Sequence, residues 1–384
     1  MDDASALYLG LISGTSADSI DAALVSFDAG VPRLQAAHAH PWPTPLRERM
    51  LALAQDETPL DLDAFGRLDV EIGGHFADAA LELLELSGTS AQEVRAIGSH
   101  GQTVRHRPSG EHPFTLQLGD PSVIAERSGI DVIADFRRAD IAAGGQGAPL
   151  LPALHAMLLG RPGHARVVLN LGGIANITVL GADGSVYGFD TGPANGLLDA
   201  WCLRHRGEAF DRDGAFAASG RVDPGLLDAL LADRYFTLAP PKSTGREHFH
   251  LGWLSAHRQL ATANPADVQA TLLELTARSI AMAIDQQAPG ADEVLVCGGG
   301  VHNGALMQRL GELLAPRTLY STARHGIDPD FLEATAFAWL ARQRLLGLPG
   351  NLPAVTGARG ARVLGAIYSA PAIGPSTRTL SGAS

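Results

Sequence analysis

The sequence predicts an α/β protein organised as two lobes. Three observations carry that expectation. The chain has 384 residues, and at roughly 100–200 residues per domain that length suggests two domains or one large one. Short apolar strands that end in Gly-rich turns alternate with amphipathic helical stretches. The pattern also restarts, because a strand, a Gly-containing turn and a second strand open the chain and recur near residue 165. The expected divisions are therefore 1–165, 166–370 and a disordered tail at 371–384.

In chain order, residues 6–12 read as a buried strand and Ile20 to Phe27 as its hairpin partner, joined across Ser13-Gly14-Thr15-Ser16. Residues 45–90 carry helical periodicity through Leu46, Met50, Phe76, Ala80, Leu83 and Leu84. Ala96-Ile97-Gly98 reads as a strand entering a polar loop at Ser99–Thr103, and Asp131–Asp135 as another strand. In the second half, strands are expected at 166–171, 175–180, 186–190 and 293–297. Helices are expected at 267–287, from about Asn303, and at 330–346.

Composition removes several classes. With 46% hydrophobic and 18% charged residues the chain is too apolar for disorder. Its net charge of −12 disfavours nucleic acid and anionic membranes. The only lysine is Lys242, which follows Pro240-Pro241, so neither a P-loop nor a protein-kinase motif set is present. Cys202 and Cys297 form no Cys-x-x-Cys pair, and the histidines form no His-Glu-x-x-His. The acidic N-terminus lacks a signal-peptide pattern and no apolar run approaches the roughly 20 residues of a membrane span, so a cytoplasmic protein is expected.

The chemistry-bearing segments are turns. Gly14, Thr15, Ser16, Ala17, Asp18, Ser19, Ile20 and Asp21 place hydroxyls and two carboxylates in one hairpin. Its backbone N–H groups suit a phosphate nest, and its carboxylates would then need Mg²⁺. An ordinary hairpin would use the same residue types. Gly172 and Gly173, followed by Asn176, offer a second such turn, and two facing turns can clamp a nucleotide's phosphates between lobes. Gly298, Gly299 and Gly300 suit a flat surface for a purine or a tight strand–helix turn. Asp190, ending an apolar strand, is a candidate general base or a helix N-cap. His100, Gln102, Thr103 and Arg137 lie in polar segments suited to a sugar or an acidic group.

Together and in this order, these segments resemble the anhydro-N-acetylmuramic acid kinase family, over about residues 7 to 368. Ser99-His100-Gly101-Gln102-Thr103, Asp135-Phe136-Arg137-Arg138 and Lys242-Ser243-Thr244-Gly245-Arg246-Glu247 are the more specific parts, and Pro349-Gly350-Asn351 and Thr356-Gly357 close the match. The resemblance implies two ribonuclease-H-like lobes with ATP in the cleft. It also implies a reaction in cell-wall recycling in which 1,6-anhydro-N-acetylmuramate, ATP and water give N-acetylmuramate 6-phosphate and ADP. Asp190 would be the base that activates water, Glu333 would face the cleft as a substrate group, and Asp18 and Asp190 are the candidates for Mg²⁺. The implied partners are the anhydrosugar and ATP, and a homodimer is compatible. Ala17 and Ser19 depart from the family's usual Gly-Thr-Ser-Leu-Asp-Gly, so Ser19 would be strained if its position needs positive φ. Ala194 likewise replaces a glycine common in the family. Two other readings are a kinase for a different sugar, and a nucleotide-driven chaperone or filament on the same scaffold.

Overall fold

The computed structural model describes residues 6–14, 17–55, 61–245 and 248–371. Thr15, Ser16, Arg246, Glu247 and all but the first residue of the expected tail lie outside the described residues. Strands of the first sheet are β1 (Leu7–Ser13), β2 (Ser19–Asp28), β3 (Val31–Pro41), β4 (Val94–Arg107), β5 (Phe114–Leu118) and β6 (Val132–Ala134). The second sheet holds β7 (Arg166–Leu171), β8 (Ile174–Leu180), β9 (Val186–Pro193), β10 (Glu293–Cys297) and β11 (Thr318–Ser321). A last strand, β12 (Ala366–Tyr368), returns to the first sheet.

The two sheets repeat one topology. In the first, β3, β2 and β1 run antiparallel to one another, and β4 and then β6 continue parallel to β1. In the second, β9, β8 and β7 form the antiparallel meander and β10 and β11 continue parallel to β7. A three-strand meander extended by two parallel strands is the ribonuclease-H-like fold, present here twice. The restart near residue 165 is therefore a true structural repeat. Open α/β sheets of this kind gather ligand-binding groups at the carboxyl ends of their parallel strands.

Several elements differ from the sequence reading. β3 has no strong strand signature, since Val31-Pro32-Arg33-Leu34-Gln35-Ala36-Ala37-His38-Ala39-His40 is rich in residues with low β-propensity. It forms because β2 supplies an edge with which it pairs along its length. Ser99–Thr103, expected as a loop, continues β4 and is buried apart from Thr103. The C-terminal segment does not stay with the second lobe. The helix Leu332–Leu345 lies on β1 and β4, and β12 pairs with β6. Glycine makes that docking close, because a Cβ on Gly10 or Gly98 would overlap the Ala334 or Phe337 carbonyl. One apolar core, containing Tyr8, Phe337, Leu154, Val168 and Leu295, spans the space between the sheets. Among the described residues no helix is long and apolar enough to cross a membrane.

Candidate active site

The second sheet sets Cys297, Asn170, Asn176 and Asp190 abreast on β10, β7, β8 and β9. Asp190 is half-buried and held by a strap, residues 235–244, that crosses β9. The Asp190 N–H donates to the Lys242 carbonyl at 3.3 Å, and the Tyr235 hydroxyl donates to the Asp190 carbonyl at 2.6 Å. The Thr244 N–H donates to the Asp190 carboxylate Oδ2 at 2.9 Å. Phe189 and Thr191, alternating with Asp190, turn to the opposite face and line a cavity of about 190 Å³ behind the strand. Lys242 closes the strap on itself. Its ammonium donates to the Tyr235 carbonyl at 3.1 Å and sits 4.7 Å from the Tyr235 ring centre. The lone lysine thus contacts the strap.

On the first lobe, His100 and Arg137 form one unit. Arg137 Nε–H donates to His100 Nε2 at 2.9 Å, which leaves the His100 Nδ1–H to donate to the Gly101 carbonyl at 2.9 Å. Burial, with the Arg137 charge adding to it, holds His100 well below the usual imidazole range, in agreement with a neutral ring. Both ring nitrogens are used inside the protein, so His100 orients Arg137. Arg137 also donates to the Gly147 carbonyl at 2.7 Å. Burial brings its guanidinium down to about 10, while the carboxylates of Glu333, Asp190 and Asp140 act to raise it. It remains a cation at neutral pH, within electrostatic reach of both lobes. Gln102 is buried and donates to the Gly14 carbonyl at 3.3 Å, fastening β4 to the first turn. The Thr103 hydroxyl accepts from Gln117 at 3.1 Å.

The loop that carries Arg137 is fixed by Asp140, which is fully buried. Its carboxylate accepts from the Gly147 N–H at 2.7 Å, Asn351 Nδ2 at 2.6 Å and the Thr356 hydroxyl at 2.7 Å. The loop that follows Asp135-Phe136-Arg137-Arg138 therefore meets Asn351 and Thr356, from the two segments that close the sequence match, at one carboxylate.

Glu333 stands in the first turn of the helix Leu332–Leu345 and accepts from Asn170 Nδ2 at 3.1 Å. This hydrogen bond joins the second sheet to the helix packed on the first. Burial and then the nearby Asp21 carboxylate raise the Glu333 carboxyl, opposed by Arg137 and Asn170. Asp21 is pushed up to about 6 by burial, with Asp330 and Asp18 also raising it and the Ser19 hydroxyl lowering it. Asp18 differs in its surroundings. It is exposed and paired with Arg47 at 2.6 Å. Ser19 begins β2 and is not among the described residues with positive φ; Ala17, at φ 48°, takes that conformation. Ala194, at φ −133°, carries no such strain.

The glycine turns close the picture. The Gly172 and Gly173 carbonyls accept from the N–H groups of Asn195 and of Ala194 and Gly196, which pins the second hairpin turn to the helix Asn195–Arg206. Gly298, at φ 82°, and Gly300 press on the end of β7, whereas Gly299 faces open space. Sequence reasoning missed Asn170, Asp140, Tyr235 and Thr244 as site-building residues, although Asn170 begins an Asn-Leu-Gly-Gly run that marked the turn itself.

A model of the anhydro-N-acetylmuramic acid kinase family matches residues 6–370. The chain belongs to this family. The anhydro-N-acetylmuramic acid kinase of Xanthomonas campestris pv. campestris strain 8004 is 58% identical over 369 residues, covering 95% of this chain and 98% of the relative. That of Xylella fastidiosa strain Temecula1 is 55% identical over 367 residues, covering 95% and 96%. That of Coxiella burnetii strain Dugway 5J108-111 is 50% identical over 363 residues, covering 94% and 97%.

Proposed function

We propose that this chain is an ATP-dependent kinase that opens 1,6-anhydro-N-acetylmuramic acid with water and phosphorylates O6, giving N-acetylmuramate 6-phosphate and ADP in peptidoglycan recycling. Family membership along residues 6–370 carries the reading. The orientation of Asp190 by the strap agrees with it. Asp190 takes the proton of a water molecule whose oxygen bonds to the anomeric carbon as the C1–O6 bond breaks. The released O6 bonds to the γ-phosphorus as the bond to the β-phosphate oxygen breaks. A base fixed by a backbone N–H and a crossing strap spends little reorganisation on that step. Arg137, cationic and near both Asp190 and Glu333, offsets charge on the substrate side.

The hairpin turns at Gly14–Asp21 and Gly172–Gly173 would grip the phosphates, and Gly299 would lie against the base. Phosphoryl transfer needs charge neutralisation that a single strap-bound lysine does not provide here, and Mg²⁺, when bound, would supply it. Asp21 and Glu333 are hard oxygen donors, and the Asp21 carboxylate raises that of Glu333, so a divalent cation fits them. Asp18, already paired with Arg47, fits less well than the sequence suggested.

The test is ADP release by the purified chain with ATP, Mg²⁺ and a sugar panel. ADP is expected with the 1,6-anhydro sugar and not with N-acetylmuramate, N-acetylglucosamine or glucose, with phosphate found on O6. Equal turnover of a sugar without the bridge would favour a different sugar kinase. Hydrolysis indifferent to any sugar would favour a chaperone or filament.

A further inference from the structure

The first lobe carries a second cluster of ligating side chains, remote in chemistry from the kinase site. On β3, His38 and His40 share one face by strand alternation. On the helix Leu62–Ser87, His75 and Glu82 are two turns apart on one face. The two faces meet. His38 Nε2 lies 3.0 Å and His40 Nδ1 2.8 Å from the same Glu82 oxygen, Oε2. One ligand atom from each residue lies within 4.8 Å of the others. His75 packs its ring 5.9 Å from that of His40, and its buried Nδ1 has no hydrogen-bond partner. Trp42 and Phe76 form an apolar floor beside this group.

We infer that His38, His40 and Glu82 bind a divalent first-row transition metal, with Zn²⁺ the best match. Two imidazoles, which are borderline nitrogen ligands, joined by one carboxylate make a donor set that suits Zn²⁺ and suits Mg²⁺ poorly. In a tetrahedral site with Zn–N and Zn–O near 2.0–2.1 Å, ligand atoms stand about 3.3 Å apart. The present separations of 3.0 and 2.8 Å need only a small expansion to admit the ion. Side-chain exposures of 25%, 13% and 46% leave a path for entry and a place for water as a fourth ligand. The ion would clip the edge strand β3 to the helix. His40 pairs with Ile20 and Ala39 with Asp21, and Trp42 Nε1 donates to the Ser13 hydroxyl at 3.0 Å. The clip therefore braces the back of the first phosphate turn. This inference stands independently of the kinase reading.

The test uses the untagged full chain, stripped of metal by chelation, titrated with Zn²⁺ and freed of excess by gel filtration. One zinc per chain by mass spectrometry and a raised melting temperature are expected. His40→Ala and Glu82→Gln should weaken binding by more than the roughly 10–100-fold that loss of an outer-shell partner costs. His38→Ala provides the same readout if His40→Ala does not fold. Co²⁺ in place of zinc should give a visible spectrum without a thiolate charge-transfer band, which separates this site from Cys202 and Cys297. Failure to retain stoichiometric zinc, or equal retention by the variants, would overturn the inference.

Discussion

In the first sheet, Gly10 and Gly98 stand side by side on β1 and β4, and the helix Leu332–Leu345 lies directly on their backbone. In the second sheet, the matching inner strands pair Val168 with Leu295 and Leu169 with Val296, and side chains fill the space. The strand order is the same; the covering differs. Backbone-to-backbone contact seats the helix that carries Glu333 closely on the first lobe. Asp190 is fixed by other means, a hydrogen-bonded strap around β9. One repeated fold thus holds two carboxylates by two devices, and Asn170, two strands from Asp190 in the same sheet, donates to Glu333.

Each device can be broken separately. Asp140→Ala should have the largest effect on stability. It leaves the Gly147 N–H, Asn351 and Thr356 donors buried without their acceptor. A loss of about 3–5 kcal/mol is expected in urea unfolding, at roughly 1–3 kcal/mol per orphaned group with partial rearrangement. Gly98→Ala should cost about 3 kcal/mol, the upper end of ordinary overpacking, because the added carbon meets backbone. It should also lower turnover through displacement of Glu333, whereas Leu169→Ala should destabilise with less effect on KM for the sugar.

The buried histidines give a pH signature. Burial holds His106 at about 4 and His155 at about 3, against 6.5 for the free side chain, and His100 well below it. The unfolded chain therefore binds protons that the folded chain refuses. Stability should be independent of these groups above about pH 6.5. It should fall by about 1.4 kcal/mol per pH unit for each histidine below that, down to its folded value. Unfolding midpoints at pH 7.5, 6 and 5 would measure this, and His155→Gln should reduce the slope by one histidine's share. The smallest effect is expected for Lys242→Arg. A planar guanidinium cannot reproduce the ammonium's bond to the Tyr235 carbonyl in the same space. We expect kcat to fall by roughly 3–10-fold, about 1 kcal/mol, with KM for ATP unchanged.

Much of this was legible in the chain. The strand–turn–strand openings identified the repeat because both are runs of β-branched and leucine residues closed by glycine. Asp190 was legible as a carboxylate on an apolar strand, but β9 continues past it to Pro193 and the following helix is capped at Ala194, so Asp190 neither ends the strand nor caps the helix. The contacts that fix these groups were not legible, because they join residues far apart in sequence. Asp140 meets Thr356, and Asn170 meets Glu333. β3 and β12 escaped notice because neighbouring strands, rather than their own residues, stabilise them. The condition for strain at Ser19, positive φ at that position, is not met, and among the described residues of the turn Ala17 takes positive φ instead.

The central claim is that Asp190 is the base of an anhydrosugar kinase. The most direct test measures ATP affinity and ADP release for Asp190→Asn with the 1,6-anhydro sugar. The substitution keeps the size of the side chain and its acceptor oxygen for the Thr244 N–H, but removes basicity. The account predicts ATP binding within about twofold of the parent and a turnover loss of roughly 10²–10⁴-fold. Turnover close to that of the parent chain would contradict it.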